Sequence, residues 1–247
     1  MQKSSAGIDH LSIAENLIQI REKISESLAK SEDPERSVKL VAVSKTFPPE
    51  KILEAFAAGQ NIFGENYVQE LSQKFNVLKD KEIEWHMIGH IQTNKVKKIL
   101  EVPTFLIHTI DRIDLAVQLD KELQKLGQSR NVLVEVNTSG EVSKRGIRPE
   151  ETITFLRKLQ KFETLKVKGL MTIGAFTDDR MKIRDCFRKL KKTYLDVRNE
   201  AIDKIEMIEL SMGMSGDFEI AIEEGATIVR IGTAIFGERM SGKISGN

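Results

Sequence analysis

The chain has 247 residues, 38 lysines and arginines against 37 aspartates and glutamates, and a single cysteine. That balance leaves no basic footprint for nucleic acid, and the lone thiol, Cys186, excludes an internal disulfide and any need for an oxidising compartment. No apolar run approaches the ~20 residues of a membrane span, and the opening "MQKSSAGIDHLSIAEN" has no signal-peptide core, so a cytoplasmic protein is expected.

Leu11, Ala14, Leu17, Ile18, Ile24 and Leu28 fall at helical spacing and predict an amphipathic helix over 9–30, which "SEDPERS" ends. Eight short apolar runs follow: "VKLVAVSK", "NIFGENY", "IEWHMIGH", "TFLIHTID", "NVLVEVNT", "VKGLMTIG", "IEMIELSMG" and "TIVRIGTAIFG". Helix-like stretches such as "PEKILEAFAAG" and "DLAVQLDKELQKLG" separate them. Several runs are apolar on successive residues, the pattern of a parallel sheet covered on its faces. Eight strand–helix units over about 38–240 predict an α/β fold, a closed (β/α)8 barrel of the TIM type, in one domain spanning 1–247. A doubly wound open sheet is the competing arrangement.

Active sites of such barrels lie at the C-terminal ends of the strands. Lys45 ends strand one, Asn66 strand two and His90 strand three, while Asn137, Ser211 and Thr233 follow strands five, seven and eight. An ammonium group is costly near a core. Lys45 is therefore either a snorkelling rim residue or a partly desolvated amine able to form an imine with an aldehyde. "ELSMGMSGDFEIAIEEG" sets Ser211, Gly213, Ser215 and Gly216 after strand seven, and "VRIGTAIFG" sets Gly232 and Thr233 after strand eight. Glycines let backbone N–H groups approach an anion, and loops after strands seven and eight recur as phosphate sites. Either loop alone is also ordinary turn chemistry. Together, opposite an amine, they specify a ligand with an aldehyde and a phosphate, and pyridoxal 5′-phosphate (PLP) is one.

"VAVSKT", "FGENYVQE", "WHMIGHIQTNK", "VNTSGEVSKRGI", "GLMTIG", "LSMGMSGDF" and "VRIGTAIFG" occur in one order between about residues 8 and 240. In them the chain resembles the pyridoxal phosphate homeostasis proteins, single-domain relatives of the alanine racemase barrel. The resemblance implies that Lys45 holds the cofactor as an internal aldimine and that Arg230 faces the pyridine nitrogen. It also implies that Ser211, Gly232 and Thr233 surround the phosphate and that Asn66 neighbours the ring. One departure, His90 and Ile91 in "MIGHIQTNK", touches none of these positions.

Other candidates are weaker. His86 and His90, four apart on one strand, would lie ~13 Å from each other, too far to share a zinc ion at ~2 Å. His108 falls on another strand, so no metal is expected. Cys186 belongs at the edge of an apolar helix stripe, and "TNKVKKIL" and "RKLKK" read as solvated faces. Lys144 lies at the expected mouth, where it is either a surface lysine or a second contact for PLP passing to or from Lys45.

Two function classes share Lys45. One is a PLP-binding protein that holds the cofactor without efficient catalysis and acts in its homeostasis or delivery, with apo-enzymes or a regulatory protein as partners. The alternative is a racemase-like enzyme, which needs two placed acid–base groups. The resemblance assigns the second to a tyrosine of an additional domain. Here "SGKISGN" is all that follows residue 240, Tyr194 falls on an outer helix, and Tyr67 is the single substitute. Arg230 also disfavours a protonated ring nitrogen and so weakens the electron sink, which favours the carrier. An imine-forming sugar-phosphate aldolase shares the barrel and lysine but not the motif set.

Overall fold

Residues 11–238 are described by the structure, a computed structural model. The first helix, α1 (Ile13–Ala29), starts at a reciprocal cap: the Glu15 amide donates to Ser12 Oγ at 3.2 Å, and the Ser12 amide donates to Glu15 Oε2 at 2.7 Å. Residues 9 and 10 of the expected helix lie outside the described ones. Its buried face is Ile13, Leu17, Ile20 and Ile24, while Leu11 and Ile18 are exposed. The stripe read from the sequence is thus rotated, because Ile13 and Ile20 satisfy the same three-and-four spacing.

Eight strands follow, each with a helix after it: β1 (Lys39–Val43), α2 (Pro49–Ala57), β2 (Ile62–Glu65), α3 (Val68–Leu78), β3 (Glu84–Met87), α4 (Val96–Leu100), β4 (Leu106–Ile110) and α5 (Ile113–Leu126). The second half continues with β5 (Arg130–Glu135), α6 (Thr152–Leu159), β6 (Leu165–Met171), α7 (Arg180–Asn199), β7 (Ile205–Ser211), α8 (Phe218–Glu223), β8 (Ile228–Ile231) and α9 (Thr233–Phe236). All pair in parallel in chain order, and β1 pairs with β8. The barrel is closed, and the open-sheet alternative is excluded.

Alternation along the strands gives two apolar layers. Leu40, Ala42, Phe63, Trp85, Ile107, Val132, Leu170, Val229 and Ile231 join the core between barrel and helices. Val41, Leu106, Leu133, Met171 and Ile228, of opposite parity, form a smaller cluster inside the barrel. Fully burying each valine, leucine, isoleucine, phenylalanine or methionine among them is worth roughly 1.5–3 kcal/mol. α8 and α9 have only 6 and 4 residues. The apolar face of α1 packs over both, with Asn16 Nδ2 donating to the Ile235 carbonyl at 3.0 Å. Among the described residues no helix is long and apolar enough to cross a membrane.

Candidate functional site

Lys45 follows β1 by two residues and is partly buried. The next residue, Thr46, has φ of +68°, a conformation that a β-branched side chain adopts only under constraint. The constraint comes from the end of β2 and from α3. The Thr46 amide donates to Glu70 Oε2 at 2.8 Å, and the Ser44 hydroxyl donates to Glu65 Oε1 at 2.6 Å. Lys74 Nζ donates to the Ser44 carbonyl, Glu65 Oε1 and Glu70 Oε2 at 2.8, 2.7 and 3.1 Å. Burial pushes the Glu65 carboxyl up to about 7 against the pull of Lys74 and Ser44. A buried ionic cluster therefore fixes the turn that carries Lys45.

The loop after β8 lies beside that turn. Phe236 packs against Phe47, the rings tilted by 31° with centroids 5.1 Å apart, and a Cβ on Gly232 would come within 3.1 Å of the Val43 carbonyl oxygen. The Gly232 and Ala234 amides both donate to Ser215 Oγ, each at 3.3 Å. Two backbone N–H groups thus converge on one oxygen, the arrangement that suits an anion at a helix start. Thr233 is exposed next to them. Gly213, at φ +92°, lets the loop after β7 run against α8, and its carbonyl accepts from the Arg230 amide at 3.0 Å. Asn66 sits one residue past β2, its backbone pressed against Gly89.

Arg230 lies within β8, 5% exposed, as the floor of the site. Its Nη1 donates to Ser211 Oγ at 2.6 Å and its Nη2 to the Thr172 carbonyl at 2.8 Å. Burial lowers the guanidinium to about 10, against the field of Asp217 and Glu135. Ser211, expected in a loop after strand seven, is instead the last residue of β7 and 0% exposed. Its hydroxyl faces Arg230 and His108 Nδ1, the latter at 2.9 Å. The hydroxyl that meets the loop after β8 is that of Ser215.

Lys45, Gly232 and Thr233 are thus brought together with Ser215, while Arg230 and Ser211 lie below. A cavity of about 300 Å³ at the mouth is walled by Thr109 of β4, Glu135 of β5 and the loops after β2, β3, β5 and β6, with Asn66, Asn137, Lys144 and Arg145 among its lining. Lys144 Nζ donates to Glu141 Oε1 at 2.7 Å and the Gly174 carbonyl at 2.9 Å, and Asn137 Nδ2 donates to the Lys144 carbonyl at 3.1 Å. His90 does not end strand three, because β3 stops at Met87. It lies in the following loop beside Arg112 and Arg145. Cys186 is buried within the α7 face rather than at its edge. Tyr67 is 58% exposed, and the Tyr194 hydroxyl donates to the Met207 carbonyl. Sequence reasoning missed two groupings, His86 with His108 and Glu65 with Lys74.

The "Alanine racemase, N-terminal domain" family matches residues 8–240. A pyridoxal phosphate homeostasis protein of Aquifex aeolicus is 42% identical over 229 residues, covering 93% of this chain and 99% of that protein. Among solved structures, PipY of Synechococcus elongatus with PLP bound superposes with a TM-score of 0.80 at 33% identity, covering 92% of this chain and all of that one. An alanine racemase of Clostridium difficile shares the fold at a TM-score of 0.70 and 15% identity, and there the match spans 57% of that chain. By motifs, barrel and relatives alike, this chain belongs to the pyridoxal phosphate homeostasis protein family.

Proposed function

We propose that this protein binds PLP at the barrel mouth, holds it covalently as an imine through Lys45, and serves PLP homeostasis or delivery without efficient catalysis. The observation that carries the reading is the convergence of the Gly232 and Ala234 amides on one oxygen beside the clamped Lys45 turn, with Arg230 beneath. These residues fit the cofactor's three handles. Lys45 would take the aldehyde. Ser215, Gly232, Thr233 and the Ala234 amide would take the phosphate, and Arg230 would face the ring nitrogen, with Asn66 beside the ring. When bound, the cofactor supplies an electrophilic imine carbon and an electron-accepting ring. A guanidinium facing the ring nitrogen disfavours a second cation there, which supports holding rather than carbanion chemistry.

The test is Lys45→Ala. The variant should fold, as judged by an unchanged far-UV circular dichroism spectrum, and should lose the visible absorption of the imine. Weak binding through the phosphate loops is compatible with the proposal, whereas an unchanged visible spectrum overturns it. Mixing the loaded protein with an apo-enzyme should restore activity faster than free PLP does if the role is delivery.

A further inference from the structure

A line of side chains, buried up to its last member Glu84, crosses the barrel interior from Arg230 to the opposite end. Arg230 Nη1 donates to Ser211 Oγ at 2.6 Å, and Ser211 Oγ lies 2.9 Å from His108 Nδ1. His108 Nε2 lies 2.8 Å from His86 Nδ1, and His86 Nε2 lies 2.9 Å from Glu84 Oε1. His86, His108 and Ser211 are each 0% exposed.

Chemistry at the two ends sets the direction of every bond between. A guanidinium can only donate and a carboxylate only accept. Glu84 therefore accepts a hydrogen bond from His86 Nε2–H, which leaves Nδ1 of the neutral His86 imidazole as an acceptor. His108 must then carry its proton on Nε2 and accept at Nδ1, and the Ser211 hydroxyl is the donor that faces that atom among the described residues. The Ser211 oxygen, its proton committed to His108, turns its lone pairs to Arg230. Reversing the chain would set a lone pair of His86 against the Glu84 carboxylate and make Ser211 accept from both sides. Burial lowers both imidazoles below their ordinary value and keeps them neutral.

We propose that His108, backed by His86, is a positioning residue for Arg230: through the Ser211 hydroxyl it fixes which guanidinium protons are left to face the ring nitrogen of a bound cofactor. That last clause rests on the function proposed above, whereas the chain itself does not. Histidines that merely fill the core would be indifferent to tautomer and to which ring nitrogen is mimicked by a substitute.

The experiment uses nitrogen NMR on the full-length, ligand-free protein, followed by titration with PLP. Both imidazoles should be neutral Nε2–H tautomers, and an Nδ1–H tautomer at His108 overturns the proposal without any variant. His108→Asn puts an amide oxygen where Nδ1 was and should keep the bond to Ser211. His108→Gln puts its amide where Nε2 was and should lose it. With the Ser211 hydroxyl no longer held by His108, its oxygen is free to turn away from the guanidinium, so the Arg230 Nη protons should exchange with solvent about tenfold faster in His108→Gln than in wild type, and near the wild-type rate in His108→Asn. Equal rates in the two variants overturn the proposal. In the titration, His108→Gln should shift the visible band of bound PLP and His108→Asn should not. Should wild type show no imine band, the PLP reading falls, and the exchange rates still decide the role of His108.

Discussion

Ser215 and Thr233 carry hydroxyls in the loop after β7 and at the start of α9, and their chemistry makes the proposed phosphate contact testable. Each should contribute one hydrogen bond to a charged group, worth on the order of 1.5–3 kcal/mol. The Ser215→Ala, Thr233→Ala double variant should therefore lose affinity for PLP in a fluorescence titration. It should lose little for unphosphorylated pyridoxal, which lacks the group those hydroxyls hold. Equal losses would show that the loops do not read the phosphate. Ser211, grouped with them on sequence grounds, is enclosed under Arg230, so Ser211→Ala should not discriminate between the two ligands.

Elements show what periodicity and turn chemistry carry and what they do not. The eight strands and their order were legible because each is a short apolar run bounded by polar or glycine-rich stretches, and the loops after β7 and β8 announced themselves through closely spaced glycines and serines. Register was not legible, so His86 and His108 read as isolated residues although they share one parity on neighbouring strands. Nor was the Glu65–Lys74 pairing, because a lysine inside an amphipathic helix normally belongs to the solvated face. The end of β7 was misplaced for a related reason: nothing local distinguishes a serine that ends a ladder from one that starts a loop. The β7–α8 loop itself depends on Gly213, where a Cβ would lie 2.6 Å from that of Ala221 at φ +92°. Gly213→Ala should cost roughly 1–3 kcal/mol in urea unfolding. It should also weaken PLP binding, since the same residue accepts the Arg230 amide. A variant with wild-type stability and affinity would show that the loop tolerates displacement.

Over the whole molecule, two buried carboxyls bias stability against high pH, and a third consideration bears on turnover. Glu65 rises from 4.5 to about 7 through burial, and Glu135 rises likewise through burial and the charge of Asp111. A raised carboxyl favours the native state below its unfolded value, near 4.5, and that contribution is lost as pH rises through about 7. His86 and His108, held neutral by burial, act oppositely in the same window, losing stability as pH falls. A comparison of variants isolates the carboxyl. Glu65→Gln keeps the contacts to Ser44 and Lys74, and its stability relative to wild type should grow between pH 5 and pH 8, by up to about 3 kcal/mol. A pH-independent difference would remove the titration from Glu65. The site's geometry leads to the last expectation, that the loaded protein turns over amino acids negligibly. Two acid–base groups on opposite faces are needed for racemisation, and neither tyrosine offers one ready-made. The Tyr194 hydroxyl is committed to the Met207 carbonyl, and Tyr67, at the start of α3, is 58% exposed. Arg230 is buried and held as a donor, and a ring nitrogen set against it, as proposed, would stay unprotonated and leave the ring a weak electron sink. An imine held by Lys45, as proposed, would be open to attack by other amines, so a slow spectral shift on adding amino acids is compatible with a carrier. Incubation in deuterated buffer with L-alanine and other amino acids, followed by proton NMR, should show α-proton exchange near background. Exchange at about 1 s⁻¹ or faster would sink the carrier reading, and its loss in Tyr67→Phe would identify the base.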